Sequence, residues 1–236
     1  MDRITRHQIK QDELAVTYEQ VEAYVKAHFR SLALIVGIAV VVAGGAFGLR
    51  TYLRRQRAGA NVALETALNT FNAYVGQSAP GVTGLTFPTA DAKYKAALAQ
   101  FTTVVEKYPR TEAAAIARIH VGICEGLLGN NAQAVRMLQT AIRVSNPEEA
   151  SLARFSLANE LARTGKQAEA EKIYEDLAAH PTLAVPRGTA LMALADDLRA
   201  TNPARAKQIY EELQKEFSSD PTLAQTFQQD SASIQQ

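Results

Sequence analysis

The side chains best suited to chemistry are few and scattered. Four histidines, His7, His28, His120 and His180, and one cysteine, Cys124, are the only imidazoles and thiol in the 236-residue chain. An imidazole needs an orienting partner to act as a base, and a thiol needs a neighbour that lowers its pKa to act as a nucleophile. His120 and Cys124 stand one helical turn apart, yet the pair lacks the further ligands of a four-coordinate metal site. His120 also lies in an apolar-rich segment, where a packed or half-exposed ring is the simpler reading, and Cys124 reads as a small core residue. The adjacent carboxylates Glu148-Glu149 and Asp196-Asp197 read as solvated helix charges rather than acid/base pairs. No HExxH, paired cysteines or GxxxxGK[ST] occurs. No catalytic residue, cofactor or metal ligand is therefore assigned, and the chain is expected not to be an enzyme.

Binding then becomes the question, and composition narrows it. One cysteine excludes a disulfide scaffold, and 25 Lys+Arg against 24 Asp+Glu exclude a uniformly basic nucleic-acid binder. A hydrophobic share of 47%, led by alanine, exceeds what disorder permits and favours helix. Those apolar residues are concentrated: residues 32–49 run for eighteen positions without a charge. As a helix, residues 31–49 rise about 28 Å, close to a hydrocarbon core of about 30 Å. Arg50 and Tyr52 follow where a signal peptide would show a small-residue cleavage site, and no cysteine is near for a lipid anchor, so an uncleaved single transmembrane helix is expected.

The flanks add detail. Residues 1–30 form an N-terminal segment, with Leu14, Tyr18, Val21, Val25 and Phe29 at helical spacing that predicts an amphipathic helix, for a membrane surface or a partner. Residues 50–58 hold Arg50, Arg54, Arg55 and Arg57, expected at the membrane surface against anionic headgroups. By the positive-inside rule these four outweigh Lys26 and Arg30 and would put the C-terminal part in the cytoplasm; Arg3, Arg6 and Lys10 lie further out. Orientation stays open on charge alone. Gly37, Gly44 and Gly48 form a small-residue stripe that another helix could approach.

Residues 59–236 are mildly acidic, with 16 basic against 19 acidic groups beyond residue 57, and carry a repeat. Ala97, Ala134, Ala170 and Ala206 recur every 36 or 37 residues, as do Phe101, Leu138, Tyr174 and Tyr210. A second helical pattern precedes the last three, over 113–129, 149–165 and 186–200. Breaks fall at Gly129, Gly165 and Asn202-Pro203, where glycine caps a helix end and proline opens the next. An incomplete first hairpin, with a helix over about 59–74, is expected to be separated from its partner by a long Gly/Pro/Ser-rich loop at 76–90.

Spacing and residue types resemble the tetratricopeptide repeat, whose small, glycine, alanine and large apolar positions are matched by Gly122, Gly129, Ala134 and Leu138, then by Ala158, Gly165, Ala170 and Tyr174. The last unit departs from the pattern at Leu194 and Thr201. An all-α chain is thus expected: one transmembrane helix followed by a tetratricopeptide-repeat-like α-solenoid, with the first helix of each hairpin lining a groove. Ile119, Ile123, Leu127, Leu152, Phe155, Asn159, Arg163, Leu191 and Arg199 are the protein-binding groove residues, unless they pack inside the solenoid or Leu223 and Phe227 cap the groove.

The order of parts, a VEAY segment at 21–24, a span ending in Gly-Leu-Arg-x-Tyr at 48–52, and degenerate repeats to the end, resembles the YfgM-type ancillary subunits of the SecYEG translocon. That resemblance implies a single-pass bacterial inner-membrane protein with its repeats in the periplasm, partnered by SecYEG and by a membrane-anchored periplasmic chaperone. Alternatives are an envelope-assembly adaptor of outer-membrane or Tol-Pal type, suggested by FxxVVxxYP at 101–109, and a cytoplasm-facing membrane scaffold, suggested by the arginines.

Overall fold

The computed structural model of the protein describes residues 6–76, 84–219 and 221–233, with the side chains of 1–25, 32, 36 and 221–224 excepted. Two compact units divide the chain, Met1–Arg55 and Gln56–Gln236. The amphipathic pattern expected over 14–29 falls mostly on side chains outside the described residues, as do His7 and Leu223.

Helix α1 (Arg6–Phe71) contains the apolar stretch. Its segment from Lys26 reaches a mean hydropathy of 2.5 over eighteen residues, none of them buried. One described helix is therefore long and apolar enough to cross a membrane. Val41 and Phe47 are each 74% exposed, a surface suited to lipid rather than water. No neighbouring atom lies within 4 Å of a side chain built at Gly37, Gly44 or Gly48. Arg50, Arg54, Arg55 and Arg57 are exposed on the same helix. The helix expected over about 59–74 is present to Phe71 as the end of α1. Residues 50–71 contain no proline and only Gly59 among glycines, so nothing strong enough to stop the helix intervenes.

In the second unit, Tyr74 and Val75 (β1) pair in parallel with Thr86 and Phe87 (β2). This short bridge closes the ends of the expected loop, whose residues 77–83 are outside the described ones. Eight helices follow: α2 (Ala90–Lys107), α3 (Glu112–Leu127), α4 (Asn131–Val144), α5 (Pro147–Arg163), α6 (Gln167–Ala179), α7 (Arg187–Thr201), α8 (Pro203–Glu216) and α9 (Pro221–Ser233). Local chemistry sets their ends. Thr89 and Thr111 hydroxyls accept from Ala92 and Ala114 amides, and Asn146 with Glu149 forms a capping box ahead of Pro147. Gly129 and Gly165 adopt φ of 84° and 82°, the left-handed cap expected of glycine at those breaks. Asn202 ends α7, and its Oδ1 accepts from the Arg205 amide at the start of α8.

The 36-residue positions form the core. Ala97, Ala134, Ala170 and Ala206 are fully buried, and Phe101, Leu138, Tyr174 and Tyr210 are at most 2% exposed. Ala60, Leu64 and Ala67 of α1 pack with Phe101, Val104 and Cys124 in one cluster. A larger cluster runs from Ile119 and Leu138 through Tyr174 and Tyr210 to Phe227. From α2 on, each helix packs on the next in sequence, and α3 also meets α5, as α5 meets α7. The described residues of α4, α6 and α8 make no comparable next-but-one contact. Helices α3, α5 and α7 therefore lie on the shorter side of the array. The unit is all-helical apart from the β1–β2 bridge and is repeat-like in its packing.

Candidate binding pocket between α3 and α5

Two helix faces meet on that shorter side. Ile123 and Leu127 are one turn apart on α3, and Ser156, Asn159, Glu160 and Arg163 follow i, i+3, i+4, i+7 spacing on α5. With Leu138 of α4 they line an open cavity of about 170 Å³. Four of the groove residues read from the sequence, Ile123, Leu127, Asn159 and Arg163, thus converge on one pocket. Leu127 is 45% exposed and available at its mouth.

A close approach makes this geometry possible. A side chain at Gly126 would stand 2.5 Å from Glu160 Oε2, so glycine on α3 leaves room for a carboxylate on α5. The Glu160 side chain is only 8% exposed and is paired with Arg163 at 2.7 Å. Arg163 donates further to the Gly126 carbonyl at 3.0 Å and to Asn131 Oδ1 at 2.7 Å. Its guanidinium therefore ties α5 to the end of α3 and the start of α4 instead of reaching freely into the groove. Asn159 Oδ1 accepts from the Tyr174 hydroxyl at 2.6 Å. Burial, then the charges of Asp197 and Asp196, push that phenol above its ordinary pKa and keep it a donor.

The remaining groove residues are placed differently. Leu152 and Phe155 are half-buried against the core, Phe155 meeting Tyr174 edge-on with ring centroids 5.9 Å apart. Ile119 is fully buried and Leu191 is 8% exposed, so both belong to the core and offer no groove surface. Each sits on a helix with neighbours on two sides, which covers most of its circumference. Arg199 lies over the Tyr210 ring at 5.4 Å and bonds Asp230 of α9 at 3.1 Å. The last helix covers it, and Phe227 is buried beside Phe217. The C-terminal helix thus closes the array at α7 and α8, while the α3–α5 pocket stays open.

Leu138, named from the sequence for the repeat but not for the groove, completes the pocket together with Ser156 and Glu160, which were not singled out. A signal existed for one of them: Glu160-x-x-Arg163 recurs 36 residues later as Asp196-x-x-Arg199, an acid–arginine pair at helical spacing. A second cavity, of about 240 Å³, lies among α2, α3 and α4, lined by Val105, Val121, Met137 and polar neighbours. None of the groove residues borders it.

The reactive groups sit elsewhere. His120 packs on Phe101 and Phe71, and burial lowers its pKa against the opposing pull of the Ile116 carbonyl. Cys124 is fully buried, and desolvation, then Glu125, push its thiol up to about 12; such a thiol is unreactive at neutral pH. Glu149 closes the capping box of α5, Glu148 accepts from the Ala184 amide, and Asp196 accepts from Tyr210. Among the described residues no group of three His, Cys, Asp or Glu side chains could hold a metal ion. No protein-family model, curated protein or solved structure matches this chain.

Proposed function

We infer that the protein is a non-enzymatic, membrane-anchored interaction module whose repeat unit, a solenoid of tetratricopeptide type, binds polypeptides. The observation that carries this reading is the open α3–α5 pocket. It combines apolar walls with a side-chain amide, on the side where α3, α5 and α7 come together. The 36-residue period of buried alanines and large side chains, with left-handed glycines at two hairpin turns, supports the tetratricopeptide assignment. The order of span and repeats supports a place in the bacterial inner membrane, repeats on the periplasmic side, as an ancillary translocon subunit or a scaffold for a membrane-anchored chaperone. A cytoplasm-facing scaffold is the second reading, and it is favoured by one observation, the four exposed arginines after the span.

A photo-crosslinking residue at Leu127 in living cells tests the proposal. Adducts to translocon subunits or to a membrane-anchored chaperone are expected there and not at Leu183, which is 92% exposed in the α6–α7 loop. The same adducts from both positions, or none from Leu127, would count against a binding pocket.

A further inference from the structure

The arginines that the sequence places on the groove are both committed. Arg163 is held by Glu160 at 2.7 Å, and Arg199 by Asp230 at 3.1 Å with Asp196 at 3.6 Å. Among the described lining residues, an acidic side chain or a chain-terminal carboxylate entering the pocket would meet one cation, Arg163, which is already paired with Glu160. It would also approach the carboxylate of Glu160, the acidic group among the described residues that line the cavity. A carboxylate stripped of water without a counter-charge is strongly disfavoured. The walls offer the opposite: Ile123, Leu127 and Leu138 are aliphatic. The volume of about 170 Å³ compares with the cavity of about 150 Å³ that accepts a benzene ring in an apolar protein interior. Polar capacity at the rim is limited, since Arg163 Nε and Nη2 are committed to Glu160, Gly126 and Asn131. Ser156 already donates to the Leu152 carbonyl at 2.9 Å. The Asn159 oxygen accepts from Tyr174 at 2.6 Å, and that amide's NH2 is available to donate to a ligand.

Resting on the polypeptide-binding reading, the geometry points to an uncharged segment as the occupant. One bulky apolar side chain of the partner fills the space between Ile123, Leu127 and Leu138, while a backbone carbonyl beside it accepts from Asn159. Charge decides against acidic tails, and the aliphatic walls decide against small polar side chains. Exposed apolar segments of incompletely folded polypeptides have this chemistry.

Full-length protein in phosphatidylcholine nanodiscs, titrated against three fluorescein-labelled peptides, tests the inference by anisotropy. The peptides share an uncharged sequence around a central Leu, Ala or Asp. The Leu peptide is expected to bind about tenfold more tightly than the Ala peptide, from the apolar area buried, and the Asp peptide more weakly still. Leu127→Gln, at a half-exposed site that does not support the core, is expected to erase the difference between the Leu and Ala peptides while the helical circular dichroism stays unchanged. Equal binding of the Leu and Ala peptides, or tighter binding of the Asp peptide, overturns the inference and leaves polypeptide binding standing. No binding of any of the three overturns both.

Discussion

His120 lies stacked on Phe101, ring centroids 4.7 Å apart, and edge-on to Phe71 at 5.5 Å. Its Nδ1 is 3.0 Å from the Ile116 carbonyl, which assigns the proton of the neutral ring to that nitrogen. Desolvation favours the neutral form, so the folded-state pKa is below 6.5. The sign follows directly. The unfolded chain takes up the proton first as the medium acidifies, so this site's contribution is fully present above 6.5 and is lost as pH falls through the folded-state value. His120→Phe keeps an aromatic group against Phe71 and Phe101 and removes the titration. Urea midpoints measured across this range should fall for the parent protein more steeply than for the variant; parallel profiles would show that the ring does not titrate in a buried site. The same environment explains why a histidine and a cysteine one turn apart, His120 and Cys124, make no reactive pair: both are held in their neutral forms by the packing around them.

The α3–α4 hairpin depends on a small residue in its first helix. A side chain at Gly122 would meet Leu138 Cγ at 2.7 Å and the Ala134 carbonyl at 3.4 Å, where Leu138 is 1% exposed and part of the core. Gly122→Ala improves helix propensity by up to about 1 kcal/mol, but overpacking costs about 1–3 kcal/mol, so a net loss of about 1 kcal/mol is expected in chemical denaturation. An unchanged or raised stability would mean that α3 and α4 are not in close contact. The period that made this pairing legible is a packing period: Ala134, Leu138, Ala170, Tyr174, Ala206 and Tyr210 are buried because each hairpin meets its neighbour in the same way. Less of the pocket could be read. Ile119 and Ile123 differ by one turn on the same helix, yet the first is enclosed and the second lines the cavity. A 3.6-residue pattern marks an apolar face without showing which part a third helix covers. Glu160 was hidden for another reason, since its near-complete burial requires both Gly126 on another helix and the Arg163 pair. The helix over 59–74 was legible, and it runs on without a break from the arginine segment because arginine is a good helix former.

At the scale of the whole molecule, one helix long and apolar enough to cross a membrane is joined to an all-helical, repeat-like unit that holds an open pocket. That helix was readable from eighteen uncharged positions alone, because bilayer thickness sets the length of apolar helix a crossing requires. Orientation was not, since Arg50, Arg54, Arg55 and Arg57 argue for a cytoplasmic repeat unit while the proposed translocon role needs a periplasmic one. The compartment determines which polypeptides can reach the pocket, and so the proposed work with the translocon and its chaperones depends on it. Fusing alkaline phosphatase, or in a parallel strain green fluorescent protein, after Gln236 decides the matter. A periplasmic repeat unit predicts active phosphatase and a dark fluorescent protein; an inactive phosphatase with a bright fluorescent protein would contradict it.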